Sequence, residues 1–387
     1  MRPIEQRAVD GYRARFGAGP TVVASAPGRV NLLGEHTDYN GGFVLPCAIE
    51  RRVAVALGHA SGQASGQASG QASSGAGSLS SLDNDDQQPD RGPRTGGWSD
   101  YPHGVVWALE QSGARIPAFQ AAITGDVPPG AGLSSSAAIE AATALALDTL
   151  CHLNITRRDL ALLCQRAENA FVGVRSGIMD QYAALLCQPG SALLIDCRSL
   201  ASEPVPLDLD AAGLALFVCD TRVRRRLAST GYNTRRDICA RAARRLGIAQ
   251  LRDATRDDLA RLSGDELRYA RHVIAENARV LIGVDALRRR DFAAFGALMW
   301  DSHASLRDDF GVSTDALDAV VEEARRAGAL GARLTGAGFG GCAIAIIARE
   351  RAGALADAGA RRFAERGYQA PESYLFSPSA GAEVVLR

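Results

Sequence analysis

Residues 127–150, VPPGAGLSSSAAIEAATALALDTL, read as a glycine-rich turn that runs into an alanine-rich helix. The segment before it, FQAAITG (119–125), has the make-up of a strand. Pro128 and Pro129 stiffen the turn, Gly130 and Gly132 let the backbone approach a partner closely, and Ser134, Ser135 and Ser136 open the helix. Unpaired N–H groups and the positive end of the helix dipole converge there, which is what an anion requires. An ordinary Ser-capped helix after a glycine turn accounts for the same residues, so the stretch alone leaves both readings open. All 43 residues in the Lys+Arg count are arginine. Without lysine, neither a Walker A loop nor a protein-kinase strand lysine nor Schiff-base chemistry is possible. A triphosphate bound here would be held by backbone amides, helped by a metal ion and an arginine.

The 387 residues, 47% apolar and 22% charged, suffice for a large core and about two domains. Forty-three acidic residues balance 43 basic ones, which argues against a nucleic-acid coat or a membrane-surface protein and makes any anion site local. The N-terminal MRPIEQRAVDGYRARFG lacks a signal-peptide core, and apolar runs such as CAIAIIA (342–348) are too short to span a bilayer, so a cytoplasmic protein is expected. The eight cysteines lie ten or more residues apart among Ala, Leu and Val, the pattern of buried free thiols. The six histidines show no HExxH or paired spacing, so no transition-metal site is expected.

Along the chain, periodicity predicts a helix over about 4–16 and strands at TVVASA (21–26) and RRVAVALG (51–58). Residues 60–97, which repeat SGQA three times, are too poor in apolar groups to offset the entropy of ordering and read as a flexible surface loop. A helix over about 99–112 follows. Thr156 and Asp159 cap a further helix that Gly173 stops. ALLIDC (192–197) and LALFVCD (214–220) read as strands, three or four amphipathic helices lie between 230 and 328, and a strand, a helix and two closing strands end the chain. This order lacks the βαβ period of a dinucleotide-binding fold, so α+β in two domains is expected.

Three more constellations carry chemistry. In APGRVNLLGEHTDYNGG (26–42), Glu35, His36, Thr37 and Asp38 follow an apolar run, a mixture of donors and acceptors that suits a polyhydroxyl ligand as well as a solvated hairpin turn. In RAENAFVGVRSGIMDQ (166–181), Glu168 sits inside a predicted helix and Asp180 follows a glycine that permits unusual backbone; each suits a base or a metal ligand, or a surface Glu and a helix-capping Asp. In LTGAGFGGCAIAII (334–347), four glycines precede an apolar strand, which implies backbone packed on a ligand or another loop, or a tight strand entry.

Together, in order and spacing, the four stretches resemble the GHMP small-molecule kinases, and GRVNLLGEHTDYNGG (28–42) is similar to the galactokinase signature. PPGAGLSSSAA and GAGFGG carry only the superfamily likeness, whereas GEHTDYN with GIMDQ carries the specific one. The resemblance covers essentially the whole chain outside 60–97. It implies a two-domain α+β GHMP kinase fold with the active site in the cleft, an N-terminal domain over 1–200 and a ferredoxin-like C-terminal domain over 201–387. The implied activity is ATP-dependent phosphorylation of the 1-hydroxyl of α-D-galactose to galactose 1-phosphate and ADP, the first committed step of galactose use.

By the same resemblance, Gly130, Ala131, Gly132, Leu133, Ser134, Ser135 and Ser136 wrap the ATP phosphates, with Trp98 and Tyr101 flanking the adenine. Ser136 and Glu168 hold Mg²⁺, Asp180 is the base for the sugar hydroxyl, and Arg29 sits beside it and the γ-phosphate. Glu35, His36, Thr37, Asp38, Gly177 and Tyr232 bind the sugar. A cytoplasmic enzyme that is monomeric or weakly associating is expected, with galactose and ATP as its partners and neither nucleic acid nor membrane. Arg175 and Ser176 stand where galactokinases commonly carry Pro and Cys, and these two positions receive no role. The rivals are a kinase of the same fold for N-acetylgalactosamine or arabinose, a silent sugar sensor, and a mevalonate or homoserine kinase. The last would leave residues 34–40 unexplained.

Overall fold

The computed structural model describes residues 1–60, 77–224 and 228–386. Helix α1 (Pro3–Phe16) leads to strands β1 (Val22–Asn31), β2 (Phe43–Val44) and β3 (Pro46–His59), then to the hairpin β4 (Ser78–Ser81) and β5 (Asp86–Pro89). Helix α2 (Asp100–Gln111), strand β6 (Phe119–Gly125) and helices α3 (Ser135–Leu150), α4 (Arg157–Arg166) and α5 (Met179–Leu186) follow, with a π-helical turn at Ala167–Val172 before α5. The remainder runs β7 (Ser191–Asp196), β8 (Ser202–Pro206), β9 (Leu214–Asp220), α6 (Ala228–Leu246), α7 (Gly264–Arg288), α8 (Phe292–Asp308), α9 (Asp315–Arg326), β10 (Gly331–Leu334), β11 (Cys342–Ala348), α10 (Ala352–Glu365), β12 (Glu372–Phe376) and β13 (Glu383–Leu386).

Two main sheets organise these elements. The first has the order β13-β1-β3-β6-β4-β5, and the second β10-β11-β9-β12; a small sheet, β2-β7-β8, completes the fold. Helix α3 covers β1 and β3, and its fully buried Ala138, Ala141, Ala142 and Ala144 leave no bulk to hold it away. Helix α8 lies equally close to β10, where a Cβ on Gly331 would meet the Gly296 carbonyl oxygen at 2.4 Å. The α+β class is the one the sequence implies. The expected boundary at 200/201 falls within the β7–β8 hairpin, and β13 rejoins β1, so the division at 200 follows chain order and not sheet membership.

The loop expected over 60–97 needs correction. Residues 61–76 lie outside the described residues, but 78–89 form a hairpin whose first strand runs parallel to β6, with Leu79 opposite Ala121 and fully buried. Polar side chains do the anchoring that apolar ones usually do. Asp83 accepts from Thr124 Oγ1 at 2.8 Å and from Gly125 N at 2.7 Å, and Asp90 accepts from Phe119 N at 3.1 Å. Main-chain ladder bonds plus these contacts order a segment whose composition alone reads as loop.

Candidate active site

Strand β1 shifts register between Pro27 and Arg29, an irregularity of the kind that re-aims a side chain. Glycine is required at 28, because a Cβ there would lie 2.6 Å from the Leu133 carbonyl oxygen, the same atom that accepts from Arg29 N at 3.0 Å. The strand and the loop at 130–136 are thus joined backbone to backbone. Arg29 Nη1 donates to Gly132 O at 2.6 Å, while Nε and Nη2 donate to Asp180 Oδ1 and Oδ2, each at 2.8 Å. This fork fixes the carboxylate of Asp180 in position and plane. Ser134 Oγ also donates to Asp180 Oδ2.

Ser134 holds a left-handed φ of 58° and makes no side-chain capping bond to α3. The Ser-capped reading of this stretch is therefore not the observed one: the hydroxyl is turned to Asp180, and the helix N-terminus is left for another acceptor. Gly130 and Gly132 take left-handed φ of 68° and 79°. The glycines of 334–347 pack on this loop: a Cβ at Gly341 would lie 2.8 Å from Ala131 O, and one at Gly336 would lie 3.0 Å from Gly132 O. The guanidinium of Arg224 lies beside Gly130, with Nε 3.2 Å from where a Cβ would be, and pairs with Asp220 at 2.8 and 2.6 Å. No motif in the sequence points to Arg224.

Glu168 lies in the π-helical turn, a local widening that often marks functional positions. Its Oε1 is 3.4 Å from Ser136 Oγ, and its Oε2 accepts from Ser176 Oγ and, at 2.9 Å, from Gln181 Nε2. The same amide nitrogen donates to Glu140 Oε2 at 3.0 Å. Burial first, then the neighbouring Asp180, raises the Glu168 carboxyl, and the hydrogen bonds from Ser176, Gln181 and Ser136 oppose that. Glu140 is pushed well above its usual range by burial and by Glu168. Among the described residues, no group of three or more His, Cys, Asp or Glu side chains is arranged to hold a metal. Ser136 and Glu168 supply two hard oxygens, a set that fits Mg²⁺ if water and phosphate complete the shell.

A cavity of about 220 Å³ opens beside Asp180, lined by residues from both halves of the chain. Arg29, Glu35, His36, Asp38, Glu168, Gly177, Asp180 and Tyr232, all singled out from the sequence, border it. Asp38 accepts from Tyr39 N at 2.9 Å, and its carboxyl is pushed up to about 7 by burial and then by Asp180, with Glu35 adding to the rise. It packs on Gly177, where a Cβ would come within 1.9 Å of Asp38 Oδ2. The φ of Gly177 is not left-handed, so this glycine serves a close approach and not the unusual backbone expected of it.

His36 is brought down to about 3 by burial and stays neutral. Its Nε2 lies 3.2 Å from Ala337 O, an acceptor only, so Nε2 carries the proton and Nδ1 accepts from the Tyr39 hydroxyl at 2.9 Å. Thr37 is not brought to the cavity: its Oγ1 turns inward, within 2.8 Å of Gly34 O and 2.6 Å of Phe43 O, and holds the turn together. Trp98 and Tyr101 also lie outside this cavity. Trp98 Nε1 donates to Asp86 Oδ2 at 2.8 Å, and Tyr101 is raised to about 12 by burial and then by Glu168 and Glu140. Asn233, Ala337 and Ser176, the last named from the sequence but given no role, also border the cavity, since only the fold brings them there.

Three family models match the chain: the galactokinase galactose-binding signature over residues 10–59, the GHMP kinases N terminal domain over 100–188, and the GHMP kinases C terminal over 284–365. A galactokinase of Streptomyces coelicolor is 42% identical over 380 residues, covering 96% of each chain. One of a Roseiflexus species is 45% identical over 348 residues, 87% of this chain and 86% of that one. The crystal structure of Lactococcus lactis galactokinase complexed with galactose superposes with a TM-score of 0.87 at 31% identity, over 97% of this chain and 98% of that one.

Proposed function

Because the chain belongs to the galactokinases, within the GHMP kinases, we propose that galactose occupies the cavity between the two halves while the phosphates of ATP lie along residues 130–136. The activity is phosphorylation of galactose by ATP, giving galactose 1-phosphate and ADP. The observation that carries the residue assignment is the joining of Asp180, Arg29 and Ser134 where the sugar cavity meets the phosphate loop. Asp180 takes the proton of the 1-hydroxyl as its oxygen bonds to the γ-phosphorus and ADP departs. Arg29 orients Asp180 with its donor fork and has one N–H left on each of Nη1 and Nη2 for the transferring group.

The absent lysine is answered by the first-turn N–H groups of α3 together with Arg29 and Arg224. Ser136 and Glu168 would hold Mg²⁺, which supplies charge neutralisation at the phosphates when bound. Glu35, Asp38, Gly177 and Tyr232 bind the sugar hydroxyls, and His36, whose two ring nitrogens are engaged by Ala337 O and the Tyr39 hydroxyl, borders the sugar as a neutral ring. Location in the cytoplasm is part of the same proposal, supported by eight cysteines that are all free thiols. ADP release, coupled to a reporter reaction and measured over galactose, glucose, N-acetylgalactosamine, arabinose and mevalonate, tests the reading. Turnover on galactose is expected, and its absence there with turnover on another substrate would overturn it.

The raised carboxyl of Asp38 makes a pH prediction. A sugar hydroxyl donates to the carboxylate, and in the free protein that form is present above about 7 and lost below it. The kcat/KM for galactose is therefore expected to fall about tenfold between pH 8 and pH 6. At saturating galactose, kcat/KM for ATP stays nearly flat across that range. Asp38→Asn should remove the pH dependence along with most of the affinity, and a profile unchanged by that substitution would count against Asp38 as the titrating group.

A further inference from the structure

Arg333 takes no part in the reading above, although it is among the largest fully buried side chains of the protein. It projects from β10 of the second sheet into the N-terminal half, where Nη1 donates to Leu32 O at 2.9 Å. Two carboxylates flank it, Glu35 Oε1 at 3.4 Å from Nη2 and Glu276 Oε1 at 3.7 Å from Nη1. Glu276 accepts from Gly34 N at 2.8 Å and Ser302 Oγ at 2.7 Å on Oε1 and from Arg279 Nε at 2.7 Å on Oε2, so it has a hydrogen-bonded guanidinium of its own. Glu35 has fewer donors, namely Gly336 N at 2.7 Å and Thr335 Oγ1 at 3.2 Å on Oε1. Among the described residues, Nε and Nη2 of Arg333 have no hydrogen-bond partner, an uncommon state for N–H groups that are wholly buried. Arg333 and Arg279 both act on Glu276, whereas Glu35, at the cavity wall, pairs more closely with Arg333, at 3.4 Å against 3.7 Å.

We infer that Arg333 is a positioning residue for the sugar: from behind the cavity its charge keeps Glu35 a carboxylate while Gly336 N and Thr335 Oγ1, just beyond it in the chain, aim that carboxylate, and it acts on galactose binding alone. This rests on the reading of Glu35 as a sugar ligand. The charge relation points the same way, since burial raises the Glu35 carboxyl and Arg333 is the largest influence pulling it back. A carboxylate that must accept from a hydroxyl is useful only while ionised and aimed; Arg333 serves the first need with its charge, and the strand end it anchors at Leu32 O carries the two donors that serve the second. Arg333 also links the halves of the protein, because Leu32 and Glu35 follow β1 while Arg333, Thr335 and Gly336 lie in and just beyond β10.

The test uses the full chain with Arg333→Lys, Arg333→Met, Glu276→Gln and Glu35→Ala. Galactose dissociation constants are measured by calorimetry without nucleotide, those of a non-hydrolysable ATP analogue without sugar, and kcat and KM under turnover. Lysine keeps the charge but cannot reach Leu32 O and Glu35 together as a fork does, so a rise of roughly tenfold in the galactose constant is expected, and roughly 100-fold with methionine. The nucleotide constant should stay within about twofold, and kcat at saturating galactose should fall less than KM rises. Glu276→Gln, which touches the same guanidinium away from the cavity, should lower the unfolding temperature and leave galactose binding within about threefold.

Arg333→Lys decides the question even where the methionine variant fails to fold. An unchanged galactose constant for Arg333→Lys, or sugar and nucleotide binding weakened in parallel, would overturn the inference. If Glu35→Ala binds galactose as the unaltered protein does, the sugar-site reading itself fails. Loss of galactose binding in Glu35→Ala with none in Arg333→Lys would remove only the role of Arg333.

Discussion

Asp180→Asn is expected to lower kcat for galactose by about 10³ or more while leaving the KM for ATP within about threefold. Asparagine keeps the size of the side chain and one oxygen for the donors that converge on it, Arg29 and Ser134. It cannot take a proton. The comparison with Asp180→Ala, which also removes the partner of Arg29, separates proton transfer from placement. Nearly equal losses in the two variants mean that the proton-accepting oxygen is what matters. Should the asparagine variant keep a tenth or more of the rate, Asp180 orients the hydroxyl and another acceptor takes the proton. Single-turnover measurements are the proper readout, because a slow product release would hide part of the loss.

Gly177→Ala is expected to raise the KM for galactose by about 10²-fold with little change for ATP. The new Cβ would sit 1.9 Å from Asp38 Oδ2 and 2.1 Å from its Cγ, a separation no packed structure tolerates. Asp38 has nowhere cheap to go. It is held by Tyr39 N and enclosed by other acids, Asp180 and Glu35 among them, so rotating it breaks a hydrogen bond and brings like charges together. A misdirected acceptor in a buried polar site costs roughly 2–3 kcal/mol, which gives the stated factor. A variant that binds galactose normally would mean that Asp38 does not reach the sugar.

Much of this was legible in the sequence, for reasons that differ by element. Strands β6 and β9 and helices α1 and α4 lie where their patterns place them because their signals are local: an apolar run, an amphipathic period, the cap at Thr156. The motifs around Arg29, Glu35, Asp38 and Asp180 converge on one cavity, and the apolar residues around them give the burial that shifts Asp38 and Glu168. The failures share a cause. The β4–β5 hairpin is secured by Asp83 and Asp90 reaching residues more than twenty positions away, and no window of sequence contains such a contact. Thr37 has the right chemistry for a sugar ligand, but the turn consumes its hydroxyl. Gly177 is a glycine because of Asp38, and Arg333 matters through Glu35; both relations exist only after folding.

The pairing of β13 with β1 bears on how the molecule is made. Arg2, at the start of the chain, meets Glu383, 381 positions later, at 2.7 Å, and the outer edge of β1 is closed by the final strand. During synthesis at roughly 5–20 residues per second, β1 emerges tens of seconds before its partner exists. Through that interval a strand buried along its whole length in the finished protein carries an unpaired edge, which a nascent-chain chaperone or a neighbouring polypeptide can occupy. The ribosome thus delivers the strand that bears Arg29 long before it delivers the strand that closes its sheet.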